Sequence, residues 1–150
     1  MCSDKTRSGK SPDRFSLPQS ARFDCESIDR EHHGLVDSLN QMAAEMAEAG
    51  SVQLEHFAAW LARLRDQMAS HFESEEAVMV AVGFDGHAAH AVHHAATLSV
   101  LDGMHAQAHA GVEMGMDEVL ELFHHILDDV LRADLPFKSF LEGRAVHRRR

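Results

Sequence analysis

Tyrosine is absent from the 150 residues, so chemistry that runs through a tyrosyl radical is excluded. Cysteine is scarce: Cys2 and Cys25 are the two, without Cys-x-x-Cys spacing. That pattern leaves no disulfide framework and fits a reducing, cytoplasmic setting better than secretion. Cys25 has no clear electropositive neighbourhood to activate it and is read as an inert thiol. Long apolar runs are missing too. None approaches the roughly 18 residues a membrane helix needs, and the leading MCSDKTRSGKSPDR is polar from its start, so neither a span nor a signal peptide is expected. Strand signals are sparse, and no internal repeat is convincing.

Basic charge is lacking in the middle of the chain. Residues 1–22 carry five Lys/Arg against two acids and 144–150 carry four against none, which leaves 22 acids against five bases between Phe23 and Gly143, a net −17. Such a surface repels phosphate, so nucleic acid is not an expected partner, and the short HRRR end is too small to reverse that. An unidentified protein partner for the arm or the tail stays open.

What is present is enough apolar content for a core. At 45% hydrophobic residues a chain of this length forms one domain without staples. Residues 1–22, rich in Ser, Pro, Lys and Arg, read as a flexible polar arm, residues 23–143 as the ordered domain, and 144–150 as a basic tail. Four segments show helical spacing of apolar residues. Leu35, Leu39, Met42 and Met46 stripe the first, which ends near Gly50. Ser51 can cap the second, where Leu54, Phe57, Leu61, Leu64, Met68, Phe72 and Met79 continue to about Val82. The third spans about His87 to Ala110 and the fourth about Met116 to Leu131 or a little beyond, with Pro136 discouraging further helix. Long amphipathic segments with short connections predict an all-α, antiparallel up-down four-helix bundle, an architecture whose core commonly hosts metals.

The 13 histidines are the compositional anomaly. In HFESEEAVMVAVGFDGHAAHAVHH, His71 to His94, His71 and Glu75 stand four residues apart, and so do His90 and His94. Residues at that spacing share a helix face and aim at one point. His32 on the first helix and His124, His125, Asp128, Asp129 and Asp134 on or after the fourth are further candidates. Imidazole with carboxylate suits iron, zinc or manganese, and more than four such ligands argues for more than one ion. A carboxylate shared between two cations would neutralise their repulsion in a low-dielectric core. His33, His56, His93, His105, His109 and His147 are read as surface residues, and Glu73 and Glu76 as solvated.

IDREHHGLVDSLN (Ile28 to Asn40), HFESEEAVM (His71 to Met79) and HAAHAVHH (His87 to His94) resemble the hemerythrin family, the bacterial hemerythrins in particular, over about residues 23–141. The resemblance implies two non-haem irons with an oxo or hydroxo bridge and carboxylate bridges. His32 and His71 would hold the iron with an open position, His90 and His94 the other, and Glu75 would bridge them. The family's fourth helix carries Trp-x-x-x-His-Ile-x-x-x-Asp, and here two registers compete. In one, His124 and Asp129 keep the five-residue step. In the other, favoured by the gap from His94, Asp134 is the second bridge, Phe137 and Phe140-Leu141 fit the downstream pattern, and Asp129 stands where the family has histidine. His125 then takes the Trp position and is an alternative ligand or a donor to Asp129.

Dioxygen is the ligand that this resemblance implies, for carriage, storage or sensing, with sensing requiring a separate output partner. A carboxylate in place of imidazole favours ferric iron, so faster autoxidation than in a five-histidine relative is expected. The same change raises the rival reading, a di-iron enzyme acting on peroxide, nitric oxide or ferrous iron. A metal-free helical interaction domain is the third.

Overall fold

The computed structural model describes residues 13–148 except Asp24, with residues 145–148 as backbone only. Every element among them is helical. The helices are α1 (Glu26–Ala49), α2 (Leu54–Ala81), α3 (His87–His109), α4 (Met116–Asp128) and α5 (Leu135–Arg148). A 3₁₀ turn at Gln19–Ala21 precedes α1, and a π turn, Asp129–Ala133, joins α4 to α5.

The apolar spacing explains the packing. Leu35, Leu39, Met42 and Met46 are buried on α1, and Phe57, Leu61, Leu64, Met68, Phe72 and Met79 on α2, so each helix turns one stripe inward. Helix α1 packs on α2 and α4, and α2 on α3. The connections are too short for anything but reversal. Gly50, at φ 77°, ends α1 in the left-handed region that glycine adopts without a Cβ penalty. At the opposite turn a Cβ on Gly86 would lie 2.6 Å from the Phe84 ring, so glycine lets that ring fold over the start of α3. The alternation brings the start of α1, the end of α2, the start of α3 and the end of α4 to one end of the bundle, as the expected up-down architecture requires.

Two apolar clusters divide this bundle. The larger fills most of its length from Phe57 to Phe72 and Leu122. The smaller, Phe23, Ile28, Met79 and Phe137, caps the end where α2 meets α3. On α2 the boundary falls between Phe72 and Met79, and Glu75 lies there.

Several expectations change. The polar arm, expected through residue 22, is packed down over its described part: Phe15 is 4% exposed, lies 4.5 Å from the Phe123 ring, and exchanges two 2.8 Å hydrogen bonds with the Asn40 side chain. One aromatic ring and one satisfied amide outweigh a polar composition. Residues 1–12, with Cys2, lie outside the described residues. Ser51 does not cap α2; Gln53 occupies the N-cap position and makes no side-chain cap bond. Pro136 does not stop the chain, because it falls in the first turn of α5, where a missing N–H costs no helical bond. The boundary at Gly143 falls inside α5, and the side chains of the tail from residue 145, His147 included, lie outside the described residues.

Candidate metal centre

Each helix contributes through its spacing. On α2, residues 71 and 75 share the buried face with Met68 and Phe72; on α3, His90 and His94 do the same with Leu101. His32 follows Ile28 on the buried face of α1. The fourth rod differs. Residues five apart in an α-helix point roughly 140° away from one another, yet Asp129 and Asp134 are 3% and 0% exposed. The π turn reconciles this: the Asp134 N–H donates to the Asp129 carbonyl at 2.8 Å, a bond across five residues that restores both to one face.

These side chains converge on Glu75. Its Oε1 lies 2.7 Å from His90 Nε2 and 3.5 Å from His94 Nε2, and its Oε2 lies 3.3 Å from His71 Nε2 and 3.7 Å from His32 Nε2. Asp134 spans the same gap: Oδ1 is 2.8 Å from His90 and Oδ2 3.5 Å from His32. Two sets of donor atoms result, each within 4.8 Å of one another: His32, His71 and Glu75, and Glu75, His90, His94 and Asp134. Glu75 belongs to both. Asp129 belongs to neither, although its Oδ1 is 4.0 Å from His94 Nε2. His125 is not brought to the centre. It is half-exposed and 3.9 Å from Glu121, and its neighbour His124 is exposed, because α4 buries Leu122, Ile126 and Asp129 instead.

Three residues that sequence reasoning passed over touch this cluster. Glu76, expected to be solvated, accepts from His94 Nδ1 at 2.7 Å, and Glu31 faces His71 Nδ1 at 3.3 Å. Each fixes a ring so that Nε2 points inward, the usual partner of a metal-binding imidazole. His93, expected at the surface, places Nε2 2.9 Å from Asp129 Oδ1. Adjacency to a buried donor, one place after Glu75 for Glu76 and one place before His94 for His93, was the available signal, and the packing of neighbouring helices decided it. The Phe72 ring stacks on His94 at 3.8 Å and 8°, which further holds that ring.

Electrostatics follow from acids and imidazoles sharing a dry space. Burial opposes the charged form of His32 and His90, but Asp134 and Glu75 outweigh it and push them up to about 9 and about 10. For Glu75 burial works against ionisation, yet the four surrounding rings hold its carboxyl well below the usual range. Burial keeps Asp134 above its ordinary value despite His32 and His90. Asp129 raises His93.

The donor atoms have too few partners for a self-contained network. Nε2 of His32, His71 and His94, Oε2 of Glu75 and both carboxylate oxygens of Asp134 are buried without a hydrogen bond. Unpaired buried polar groups are costly and rare, and so many facing one another fit a cation. Four imidazoles and a shared carboxylate are a donor set for a transition metal, and the overlapping groups suit a pair of ions.

Comparison with known proteins points to a family of cation-binding domains. The hemerythrin HHE cation binding domain matches residues 25–133. Myohemerythrin-1 of Phascolopsis gouldii is 31% identical over 100 residues, covering 67% of this chain and 76% of the relative. No solved structure matches. Among the described residues, no helix is long and apolar enough to cross a membrane.

Proposed function

The chain belongs to the hemerythrin family, and from that premise we propose that it holds two non-haem irons and binds dioxygen reversibly. The observation that supports this is the sharing of Glu75 by two buried donor groups whose Nε2 and carboxylate atoms lack partners. In this reading His32 and His71 would hold one iron, His90, His94 and Asp129 would hold the other, and Glu75 and Asp134 would be shared between them. The irons supply the reversible electron transfer that oxygen binding needs.

The chain's own residues do the rest. Glu31 and Glu76 orient His71 and His94, and Phe72 keeps the latter ring from turning. Phe23, Ile28, Met79 and Phe137 on one side and the main core on the other exclude water, which protects a reduced centre from protons. His32, His71 and Glu75 form the smaller donor group, so an iron held there would have more room for an added ligand. A groove of about 750 Å³ lined by Leu17, Ala21 and Arg22 borders His32 on that side.

Elemental analysis is the first test, with two irons per purified chain expected. The reduced protein should then develop colour with oxygen and lose it under vacuum. Prompt irreversible oxidation with turnover of added peroxide would instead favour a second reading, a di-iron enzyme acting on peroxide, nitric oxide or ferrous iron. Asp129 is the observation behind that alternative, since oxygen-activating helical di-iron sites rely on carboxylates.

A further inference from the structure

His93 carries an inference that rests on the di-iron reading and goes beyond it. Asp129 is buried, and its Oδ1 sits between two rings, 2.9 Å from His93 Nε2 and 4.0 Å from His94 Nε2, in close ionic contact with the first but without a hydrogen bond to either. Two donors on one ion with bonds of about 2.1 Å cannot be more than about 4.2 Å apart. Asp129 and His94 meet that limit. The carboxylate nevertheless stands outside both tight donor groups, so its place must be held by something other than the cluster.

His93 is that contact. It precedes His94 by one residue and therefore points roughly 100° around α3, toward the π turn that begins at Asp129. Its ring centroid is 6.2 Å from that of His90 and 6.3 Å from that of His94, which separates it from the donor rings. Its polar contact with the centre runs through Asp129.

We propose that His93 is a positioning residue whose ring holds Asp129 as the fourth-rod donor to the second iron. One unit, drawn from α3 and the π turn, thereby takes the part of the histidine that the family pattern has on its fourth helix. An imidazole nitrogen in close polar contact with a ligating carboxylate draws charge from it and limits its direction, and the polar neighbours of ligands matter nearly as much as the ligands. In this chain the histidine has moved behind the carboxylate.

The test compares wild type, His93→Ala, His93→Gln, Asp129→His and His93→Ala in the Asp129→His background. Iron per chain after a chelator challenge, the rate of spectral oxidation in air and the melting temperature of metal-free protein are the readouts. His93→Ala should retain the second iron roughly tenfold less well and oxidise faster, with the metal-free melting temperature little changed. His93→Gln, which keeps an N–H donor, should recover part of that loss. With a ring placed directly at position 129, removing His93 should have no further effect. The inference is overturned if wild type holds two irons and His93→Ala matches it, or if the His93→Ala defect persists undiminished beside Asp129→His, which would make the ring itself a ligand. A wild-type chain that takes up no iron pair overturns the functional reading, and this inference with it.

Discussion

On α2 and α3 the inward-facing pairs stand four residues apart, His71 with Glu75 and His90 with His94, whereas Asp129 and Asp134 stand five apart across a π turn. The first arrangement is what any straight α-helix offers. The second needs a local widening of the backbone, sustained here by the Asp134 N–H to Asp129 carbonyl bond. Chemistry differs along the same line. The first three helices bring four imidazoles and one acid to the donor groups, and the fourth rod brings one acid, Asp134, and no ring. A regular scaffold therefore sets the common part of the site, and an irregular one carries what distinguishes this chain.

The sharpest way to break the comparison is to remove the group on which both sides converge. Glu75→Ala should abolish retention of both irons, read as metal per chain. It takes the one carboxylate common to the two donor groups and leaves Asp134, which faces His32 and His90 but not His71, as the acid remaining between the rings.

Single-residue deletions come next. Removing exposed Glu73 shortens the His71–Glu75 step to three residues and rotates Glu75 and all of α2 after it by roughly 100° relative to His71, so metal should be lost while helical content survives. Removing exposed Arg132 should be tolerated, because it converts the π turn to plain α-helix and leaves Asp134 four residues after Asp129, on the same face. Equal loss of metal from both deletions would show that the widened turn does more than correct register.

Acidity separates the two regions less strongly. In the metal-free protein His32 and His90 are pushed up to about 9 and about 10 by Asp134 and Glu75 against the cost of burial. Folded values above the ordinary 6.5 mean stabilisation that is complete below pH 6.5 and is lost as pH rises through those values. The melting temperature of metal-free protein should accordingly decline toward pH 10, and that of the loaded protein should not. Ligand imidazoles must be deprotonated, so iron uptake near neutral pH should release protons and tighten as pH rises. Calorimetry in buffers of different ionisation enthalpy counts them. The smallest effect belongs to His125→Ala, a half-exposed site away from the cluster, expected within about 0.5 kcal/mol of wild-type stability and with iron content unchanged.

Much of this was readable from residues alone, for a physical reason. Helical spacing of Leu35, Leu39, Met42 and Met46 announces a buried face, and four-residue steps announce which donors can meet. The π turn follows from no apolar periodicity, and its trace in the sequence is the five-residue step itself, which a straight helix cannot bring to one face. Glu31, Glu76 and His93 were invisible as contributors because each lies beside a donor rather than in line with it, so only the neighbouring helix determines what it meets. The docking of Phe15 against Asn40 and Phe123 escaped notice because a single apolar ring in a polar segment leaves no pattern. Pro136 misled because a residue that ends a helix from within can also begin one.

The 3₁₀ turn packs on the π turn, and Lys138 Nζ donates to the Ser20 carbonyl at 2.6 Å across 118 positions. A ribosome releasing this chain from its front end thus presents His32, His71, Glu75, His90 and His94 well before it delivers Asp134 and the lysine that clasps the beginning to the end. A chain stopped after α3 would carry these imidazoles without Asp134, so the donor group of Glu75, His90 and His94 gains its fourth member once the fourth rod has packed.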